Sequence, residues 1–533
     1  MVSKNKHKIT KSLQDALIFC QKGQFNEARN IYQKLIKVIP ANDQMLANFG
    51  TIELQMGNVE YATELLDRSV LINPNQPNVL NNLGNYYLDN GDFQKSIKYF
   101  DRALSLGSEN SNIFYNKGRA MTSINNMDGA INCYKQAIKI NPENKAAHLN
   151  LGFLFNLTKN FDEAIHEYNV AIDLDENFWD AIFNRAVTFS NQGNHEKAIE
   201  DFNAAIELDP ENYRAHLNLA YLELASHNYR SGWQLHESRW KVQDLESPPL
   251  ATKKPKLESF EVKNKKILIW GEQGIGDHLL YSTMLPEALK TDNEFIVMLD
   301  SRLLDLYKAS FKDFKNVVFL DSVGDEGLYD FHLPFASLGQ FFRNLKQDFL
   351  NQKIPLLEAD KEYSKTLRNR INSANKHICG ISWMSKNPKI GESKSMRLED
   401  FKSIFSLPGI DFVDLQYGDT KKEKKDLKDN FGFELIEMTD IDNFNDLGRL
   451  AALINACDFV VTTSNVTAHI AGALNKKTYL IIPETKVRVW YWGTNENSSL
   501  WYPSIKILRS DNLKDWKTPI KNLLDLLSQE IKV

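Results

Sequence analysis

Along the first 240 residues, small and apolar positions recur with a period of 34. Within each period a small residue precedes a large ring or leucine, and a proline commonly follows. Small residues let two helices approach, the ring fills the gap between them, and the proline ends the second helix. The pattern therefore predicts six helix pairs over about residues 9–212, and a less regular pair at 213–240 that caps the stack. The small positions are Gly50, Gly84, Gly118, Gly152, Ala186 and Ala220. The large positions are Tyr32, Leu66, Phe100, Tyr134, Tyr168 and Phe202, and the prolines are Pro40, Pro74, Pro142 and Pro210.

This unit resembles the tetratricopeptide repeat. Two residues before each small position the chain carries asparagine, on the helix that lines the inner face of such a stack. An amide both donates and accepts, so a ladder of amides can bind the backbone of an extended peptide whatever its side chains. The arrangement is similar to the asparagine ladder of O-linked N-acetylglucosamine transferase. The alternatives are that these amides bond neighbouring repeats or reflect an asparagine-rich chain. The predicted peptide-binding residues are Asn48, Asn82, Asn116, Asn150, Asn184 and Asn218.

From residue 266 the pattern changes to short apolar runs separated by helical stretches, which is typical of parallel α/β sheets. In the second half of this region, the runs beginning at 377, 412 and 458 are each predicted to form a strand that ends in a polar loop. The segments that contain the predicted strands are 266–270, 294–300, 316–320, 377–387, 412–419, 458–465 and 478–483. The resulting domains are a repeat solenoid at 1–242, a linker at 243–265, α/β halves at 266–370 and 371–512, and a C-terminal helix at 513–533.

The stretch KILIWGEQGIGDHLLYSTMLPEALK predicts a strand, a glycine turn and a helix from His278 to Leu289. Its G-x-x-G-x-G spacing differs from the dinucleotide fingerprint, and a tight turn without a ligand explains this stretch equally well by itself. In doubly wound sheets, however, ligands bind beyond the carboxyl ends of the strands, where glycines allow close approach of the backbone. We therefore expect Asp277, at the start of the helix, to face a cleft.

Five motifs of this region occur together: WGEQGIGDHLLYSTMLP, GISWMSKN with KSMRLEDF, DLQYGD, DFVVTTSNVTAHIAGAL and WYPSIKILR. With them, residues 265–520 resemble the glycosyltransferase family nine domain, the group of the lipopolysaccharide heptosyltransferases, in the form fused behind tetratricopeptide repeats. The resemblance implies an α-helical solenoid followed by an α/β two-Rossmann fold of the GT-B type. In that fold the C-terminal half binds a nucleotide-diphosphate sugar and the N-terminal half presents the acceptor. No metal is expected, because a helix N-terminus and basic side chains stabilise the leaving diphosphate.

The resemblance also implies roles for particular residues. Asp277 matches the general base that takes the acceptor proton during inversion, although an ordinary helix cap is the alternative. His469 binds a phosphate or sugar oxygen, or else its own loop, while Lys386 or Lys394 neutralises the leaving phosphate or is merely solvated. Gln416 and Tyr417, at the end of a predicted strand, contact the base or ribose. The expected donor-binding residues are Gly274, Gly276, Lys386, Lys394, Gln416, Ser464, Asn465, Val466, Thr467 and His469.

Two departures from the family pattern bear on the function. The family commonly has an Asp-Thr pair at Ser464-Asn465 and Arg-Ser at Lys394-Ser395. Both substitutions keep polar groups at these positions. They are consistent with a different donor substrate, or with a domain that binds a ligand without catalysing a reaction. We predict a metal-independent inverting glycosyltransferase of the hexosyl or heptosyl type whose repeats recruit a protein or peptide acceptor. The main alternative is a tetratricopeptide scaffold with a degenerate transferase domain. A nucleotide-sugar epimerase or hydrolase on the same fold is less favoured, because it would leave the peptide-binding groove unexplained.

Composition mainly excludes other classes. A net charge of -5 and a pI near 6.2 provide no global field for nucleic acid. The four cysteines lie far apart without a CxxC pair, so neither a zinc site nor a disulfide framework is indicated and buried, reduced thiols are expected. The absence of a membrane-length apolar run and of a signal-peptide core predicts a cytoplasmic protein. The D-x-D match at residues 173–175 lies inside a repeat and is interpreted as surface, and the oligomeric state stays open.

Overall fold

The computed structural model describes residues 2–242, 248–371, 376–387, 391–482, 489–493, 496–509 and 516–530, with only the backbone at 2–6 and 530. The chain forms two compact units, Met1–Phe189 and Ser190–Val533. The described part of the first unit is helical, as the 34-residue pattern predicts. The second unit begins with helices and continues into two parallel sheets.

Consecutive helices of the first unit pack in pairs, and glycines explain how closely they pack. A Cβ atom added at Gly84 would lie 2.5 Å from the Phe100 ring, and one at Gly118 would lie 2.6 Å from the Tyr134 ring. A larger residue would therefore force the paired helices apart. The helices are α1 (Val2–Gln21), α2 (Phe25–Leu35), α3 (Asp43–Gln55), α4 (Val59–Ile72), α5 (Pro77–Asp89), α6 (Phe93–Ser105), α7 (Ser111–Ser123), α8 (Met127–Ile140), α9 (Lys145–Leu157), α10 (Phe161–Leu174) and α11 (Trp179–Gln192), the last of which continues into the second unit.

The second unit begins with α12 (His195–Leu208), α13 (Tyr213–Ala225) and α14 (Tyr229–His236), followed by the 3-10 turn Glu237–Lys241. Of these helices, α13 and α14 contribute to the hydrophobic core that they share with the sheets. Trp233 of α14 is fully buried and donates its indole N–H to the Arg343 carbonyl at 2.8 Å. A Cβ atom at Gly339 would lie 2.2 Å from the Trp233 ring, so glycine makes room for the indole. The α/β region therefore packs directly against α13 and α14 of the same unit.

Among the described residues, nine strands form two sheets in which every described pairing between strands is parallel. The strands are β1 (Lys266–Trp270), β2 (Glu294–Met298), β3 (Val317–Leu320), β4 (Phe331–Pro334), β5 (His377–Ser382), β6 (Ile410–Asp414), β7 (Phe459–Thr463), β8 (Thr478–Ile482) and β9 (Ile505–Arg509). The strand orders are β3-β2-β1-β4 and β6-β5-β7-β8-β9. The order in which the chain adds strands therefore reverses between β1 and β4 in the first sheet and between β5 and β7 in the second. Doubly wound sheets bind ligands at such switch points.

Helices cover the sheets, and part of the predicted linker extends the first one. Leu257 donates its N–H to the His332 carbonyl of β4 at 2.9 Å, which adds an edge pairing to the sheet. The remaining helices are α15 (Ile275–Tyr281), α16 (Leu285–Ala288), α17 (Leu304–Ser310), α18 (Gly339–Phe342), α19 (Lys361–Ile371), α20 (Gly391–Lys394), α21 (Lys402–Phe405), α22 (Lys421–Phe431), α23 (Leu447–Ala456), α24 (Val466–Ala473) and α25 (Lys517–Glu530).

The elements differ from the sequence predictions in three places. The helix expected from His278 to Leu289 is divided into α15, a 3-10 turn at Ser282–Met284 and α16, since Pro286 lacks the N–H that a continuous helix needs. Strands β4 and β9 were not predicted, because β4 is short and ends in proline and β9 follows an aromatic segment. Parts of the predicted linker (243–247), second half (372–375, 388–390, 483–488, 494–495 and 510–512) and C-terminal helix (513–515 and 531–533) lie outside the described residues.

Candidate active site

A cavity of about 380 Å³ lies in the second unit where loops from both sheets meet. Its wall includes the turn after β1, the loop after β5 and the loop after β7, so it occupies the carboxyl ends of the strands beside both switch points. The volume is in the usual range of small-molecule sites. Of the residues expected to act here, those that line the cavity are Gly274, Gly276, Asp277, Lys386, Lys394, Ser464, Asn465, Val466 and His469.

The glycine turn places Asp277 both at a helix start and at the cavity wall. Gln273 has a φ of 61° and Gly274 is the N-cap of α15. The Asp277 carboxylate accepts a hydrogen bond from the Gly274 N–H at 3.2 Å. The capping role considered as the alternative is therefore present, and it holds the carboxylate beside the cavity rather than away from it.

Behind the turn lies a buried ionic cluster that sequence reasoning missed. Arg239 is fully buried and donates two hydrogen bonds to Glu272, at 2.7 and 3.0 Å, and one to Glu237 at 3.0 Å. Glu272 also accepts from the Ala336 N–H at 3.0 Å, so the second residue of the glycine turn is bonded on two sides. Although burial opposes ionisation, Arg239 and Lys256 lower the pKa of Glu237 to about 2. The segment after α14 thus supports the turn that carries Asp277.

Lys394 is a buried cation at the cavity. Its side chain lies on α20, and Ser395 ties this segment to the loop after β5 by accepting from the Ser385 N–H at 2.9 Å and donating to the Gly391 carbonyl at 2.7 Å. The residue is 8 % exposed, and burial lowers the pKa of the ammonium to about 8, against the opposing influence of Asp277. Lys386, on the same wall, is exposed.

Asn465 organises the loop after β7. Its side chain caps α24 by accepting from the Ala468 N–H at 3.3 Å and donates to Ser382 Oγ at 2.9 Å and to the Met384 carbonyl at 3.2 Å. It therefore joins the carboxyl ends of β5 and β7. The neighbouring Ser464 accepts a hydrogen bond from the Trp492 indole at 3.0 Å.

His469 is enclosed by aromatic side chains on one side and faces the glycine turn on the other. Its ring stacks on Trp492 with centroids 5.3 Å apart, and Nδ1 lies 3.3 Å from the Tyr502 hydroxyl. A Cβ atom at Gly276 would lie 3.2 Å from His469 Cδ2 and 3.3 Å from Nε2. Burial, together with the charge of Lys394, lowers the pKa of His469 to about 3, so the ring is neutral near pH 7.

Two of the residues assigned to donor binding do not line this cavity. Gln416 is buried, and its Oε1 accepts from the N–H groups of Trp383 at 2.8 Å and Met384 at 2.9 Å. Thr467 is fully buried, with its hydroxyl 3.4 Å from Ser382 Oγ. Strand β6 ends at Asp414, whereas the predicted segment extended to residue 419, so Gln416 lies beyond the strand. Gln416 therefore supports the loop after β5, and Thr467 contacts the last residue of β5.

The cavity also includes residues for which the sequence predicted no role. Arg302 is held by two 2.9 Å hydrogen bonds to Asp300, and its guanidinium lies 4.7 Å from the Phe444 ring centroid across the mouth. The only sequence signal for Arg302 is its place just after the predicted strand at 294–300. Tyr417, which was expected beside Gln416 to contact the base or ribose, also lines the cavity. The other lining residues without a predicted role are Ile275, Ser385, Asn387, Asn443, Phe444, Leu447 and Tyr491.

The asparagine ladder is half-buried and engaged within the chain. Nδ2 of Asn82, Asn116 and Asn150 donates to the first helix of the preceding repeat, whereas Asn184 and, in the second unit, Asn218 donate to carbonyls of their own helices. The three inter-repeat acceptors are Thr51 at 3.3 Å, Asn85 at 2.8 Å and Tyr115 at 3.4 Å. Bonding between neighbouring repeats, which was the alternative, is therefore present, and peptide binding stays a prediction.

The remaining sequence expectations concern the D-x-D match, metal ligands, the cysteines and membrane helices. The D-x-D match at residues 173–175 lies on the first unit, where Asp175 pairs with Lys145 at 2.5 Å. Within the described ranges, no group of three or more His, Cys, Asp or Glu side chains is arranged to hold a metal ion. The cysteines are free thiols, of which Cys20 is partly exposed and Cys133, Cys379 and Cys457 are buried. None of the described helices is both long and apolar enough to span a membrane.

Comparison with known proteins identifies the repeats. A model described as TPR repeat matches residues 118–159, and one described as Tetratricopeptide repeat matches 77–110 and 179–212. The chain therefore contains tetratricopeptide repeats, as predicted. Such repeats form extended protein-binding surfaces, so these matches support the prediction that the repeats are a protein-interaction scaffold.

Individual relatives cover parts of the chain. It is 25% identical over 307 residues to Protein FlbA of Caulobacter vibrioides (strain ATCC 19089 / CIP 103742 / CB 15), covering 54% of this chain and 50% of FlbA. The chain thus spans about half the length of this curated relative. Among solved structures it is similar to YrrB, described as a TPR protein with an unusual peptide-binding site (23% identity, TM-score 0.33, 34% of this chain and 95% of that one). It is also similar to pilF of Pseudomonas aeruginosa (15% identity, TM-score 0.35, 38% and 93%).

Proposed function

We propose that the second unit is an inverting glycosyltransferase of the GT-B type that uses a nucleotide-diphosphate sugar, and that the repeats recruit a protein or peptide acceptor. The observation that carries this proposal is the charge of the cavity. Lys386 and Lys394 line it, and Asp277 is the only carboxylate among its described lining residues. Two ammonium groups near a single carboxylate suit a ligand with several negative charges, such as a diphosphate.

The proposed reaction uses side chains that already meet in the cavity. The acceptor hydroxyl forms a bond to the sugar C1 as the bond from C1 to the diphosphate oxygen breaks, and the hydroxyl proton passes to the Asp277 carboxylate. Lys394 and the first N–H groups of α24 stabilise the negative charge that develops on the leaving diphosphate. The chain's own cations thus supply the stabilisation that the reaction needs.

The experiment that tests the proposal is a calorimetric screen of the full chain against nucleotide-diphosphate sugars, free nucleoside diphosphates and the corresponding nucleosides. We expect selective binding of one diphosphate class, and a rise of the unfolding temperature that follows the ligand concentration. His469→Gln should weaken this binding without changing the fold. A well-folded sample that binds none of the diphosphates would contradict the proposal.

Donor binding should depend on pH through Lys394. Because burial holds the pKa of this group near 8, below its ordinary value of 10.5, its positive charge is present at pH 7 and is lost as the pH rises through about 8. We expect the affinity for a nucleoside diphosphate to fall between about pH 7 and pH 9.5, with the midpoint raised by the bound phosphate. Isothermal titration across this range measures the effect.

Lys394→Gln is the matched variant for that measurement. It should bind the diphosphate more weakly at pH 7 and show little further loss above pH 8, since the titrating charge has been removed. Lys402→Gln, which changes an exposed lysine outside the cavity lining, should keep the pH dependence of the unaltered chain. An unchanged pH dependence in Lys394→Gln would contradict the role of Lys394.

A scaffold without catalysis is the second candidate function. The observation that favours it is that Asn465, in the Ser464-Asn465 pair that stands where the family commonly has Asp-Thr, uses its side chain to join β5 to β7. Under this alternative the repeats bind a protein and the cavity serves only to hold a ligand. Binding of a nucleotide sugar without any transfer or hydrolysis would favour the scaffold.

The ladder residues allow the two units to be tested separately. Replacing Asn116 and Asn150 together by alanine should lower transfer to protein acceptors by about tenfold or more while leaving hydrolysis of the donor by water unchanged. Each substitution also removes an inter-repeat hydrogen bond, worth about 1 kcal/mol of stability, so unfolding must be measured in parallel. Asn132→Ala, an exposed change on α8, is the control. Equal losses with protein and with water would indicate misfolding rather than acceptor binding.

A further inference from the structure

The two ring nitrogens of His469 have different surroundings. Nδ1 lies 3.3 Å from the Tyr502 hydroxyl. The opposite edge of the ring, with Cδ2 and Nε2, lies against Gly276, where a Cβ atom would be 3.2 to 3.3 Å away. Because Gly276 and His469 both line the cavity, Nε2 is the nitrogen on the side of a bound ligand.

Packing holds both partners of this contact in place. Tyr502 is 2 % exposed, and its Cγ would lie 2.4 Å from a Cβ atom at Gly472, so the tyrosine ring fills the space that this glycine leaves. The His469 ring is stacked on Trp492 and is 4 % exposed. Burial raises the pKa of Tyr502 well above its ordinary value, so the hydroxyl keeps its proton.

The direction of the hydrogen bond follows from donor and acceptor strength. A phenolic O–H is a stronger donor than the N–H of a neutral imidazole, and the imidazole lone pair is a stronger acceptor than a phenolic oxygen. Tyr502 therefore donates to Nδ1, which leaves the imidazole proton on Nε2. In a neutral histidine, the hydrogen bond at one ring nitrogen determines whether the other nitrogen carries the proton.

We propose that Tyr502 is a positioning residue that holds His469 in the Nε2–H tautomer, so that this neutral histidine donates a hydrogen bond to an anionic oxygen in the cavity. The identity of that oxygen as part of a diphosphate rests on the proposed function. His469 stays neutral across the physiological range because burial and Lys394 lower its pKa to about 3. Its tautomer, rather than its protonation, therefore decides whether it can donate to the ligand.

The test combines spectroscopy with binding. The full chain is labelled with ¹⁵N-histidine, and the His469 signals among its 11 histidines are assigned by their loss in His469→Gln. At pH 7 we expect a pyrrole-type Nε2 and a pyridine-type Nδ1. In Tyr502→Phe the tautomers should mix, and the affinity for UDP or ADP, whichever the unaltered chain binds, should fall about five- to tenfold, the loss expected for one aligned hydrogen bond.

Tyr329→Phe is the matched control. It removes another buried hydroxyl of the same unit, which bonds to Thr252 at 2.8 Å, and should change neither the His469 spectrum nor nucleotide binding. A native spectrum with the proton on Nδ1 would overturn the proposal, whether or not Tyr502→Phe folds. An unchanged tautomer in folded Tyr502→Phe would overturn the role of Tyr502. The expected tautomer in a chain that binds no nucleoside diphosphate would support the tautomer assignment and overturn the proposed function.

Discussion

Replacing Asp277 by asparagine is expected to lower the rate of sugar transfer by about 10²- to 10⁴-fold while leaving the affinity for the nucleotide-diphosphate sugar nearly unchanged. Asparagine keeps an oxygen that can accept from the Gly274 N–H, so the helix cap and the turn are retained. The variant loses the ability to take a proton from the acceptor. It also loses the charge that opposes the lowering of the Lys394 pKa, so donor binding is compared below pH 7, where Lys394 is charged. Single-turnover transfer together with calorimetric donor binding separates the two effects.

Two further variants complete this experiment. Asp305→Asn changes an exposed carboxylate on α17 and should transfer at the native rate. Asp277→Ala removes both the base and the cap, so it should lose stability in addition to activity. If Asp277→Asn transferred sugar at the native rate, the carboxylate would be a helix cap alone and the proposed base would be wrong.

Replacing Arg239 by methionine is expected to lower the free energy of unfolding of the second unit by about 3 to 5 kcal/mol, the usual cost of removing one partner of a buried ion pair. The variant leaves Glu272 and Glu237 without their main partner in a site where the guanidinium is fully buried. Denaturant unfolding followed by tryptophan fluorescence measures the change, because Trp233, Trp383 and Trp492 report on this unit.

The comparison that isolates the buried pair is the double variant Arg239→Met with Glu272→Gln. Neutralising Glu272 removes an uncompensated charge, so the double variant should recover part of the lost stability. Arg397→Met serves as the control, since Arg397 is 77% exposed and its pair with Glu399 should contribute less than about 1 kcal/mol. An Arg239 variant no less stable than the Arg397 variant would contradict the structural importance of the cluster.

The repeats could be predicted almost completely from the sequence. A glycine at Gly84 and a ring at Phe100 lie close in the chain and recur every 34 residues, so the pattern itself reveals which side chains meet. The strands at β1, β5 and β7 were visible for a similar reason, because each is a short apolar run that ends in a polar loop. The unpredicted β4 and β9 lack a clear run, yet each completes an edge of a sheet.

The candidate site could be predicted only in part. Asp277, Lys394 and His469 were found because they stand in motifs beside predicted turns, and the structure brings all three to one cavity. Gln416 and Thr467 stand in equally good motifs but point into the supporting loops. A motif fixes how near a residue is to a strand end, and it leaves open which way the side chain turns.

The sequence by itself therefore determined the tetratricopeptide repeats, the order of helices and most strands, and the motifs from which the cavity is built. Only the tertiary structure decided that Arg239 supports the glycine turn, that Arg302 reaches the cavity mouth and that Tyr502 contacts His469. The physical reason is range along the chain. Helix and strand patterns arise from neighbours a few residues apart, whereas these contacts join residues 33, 142 and 33 positions apart, and packing of the whole unit selects them.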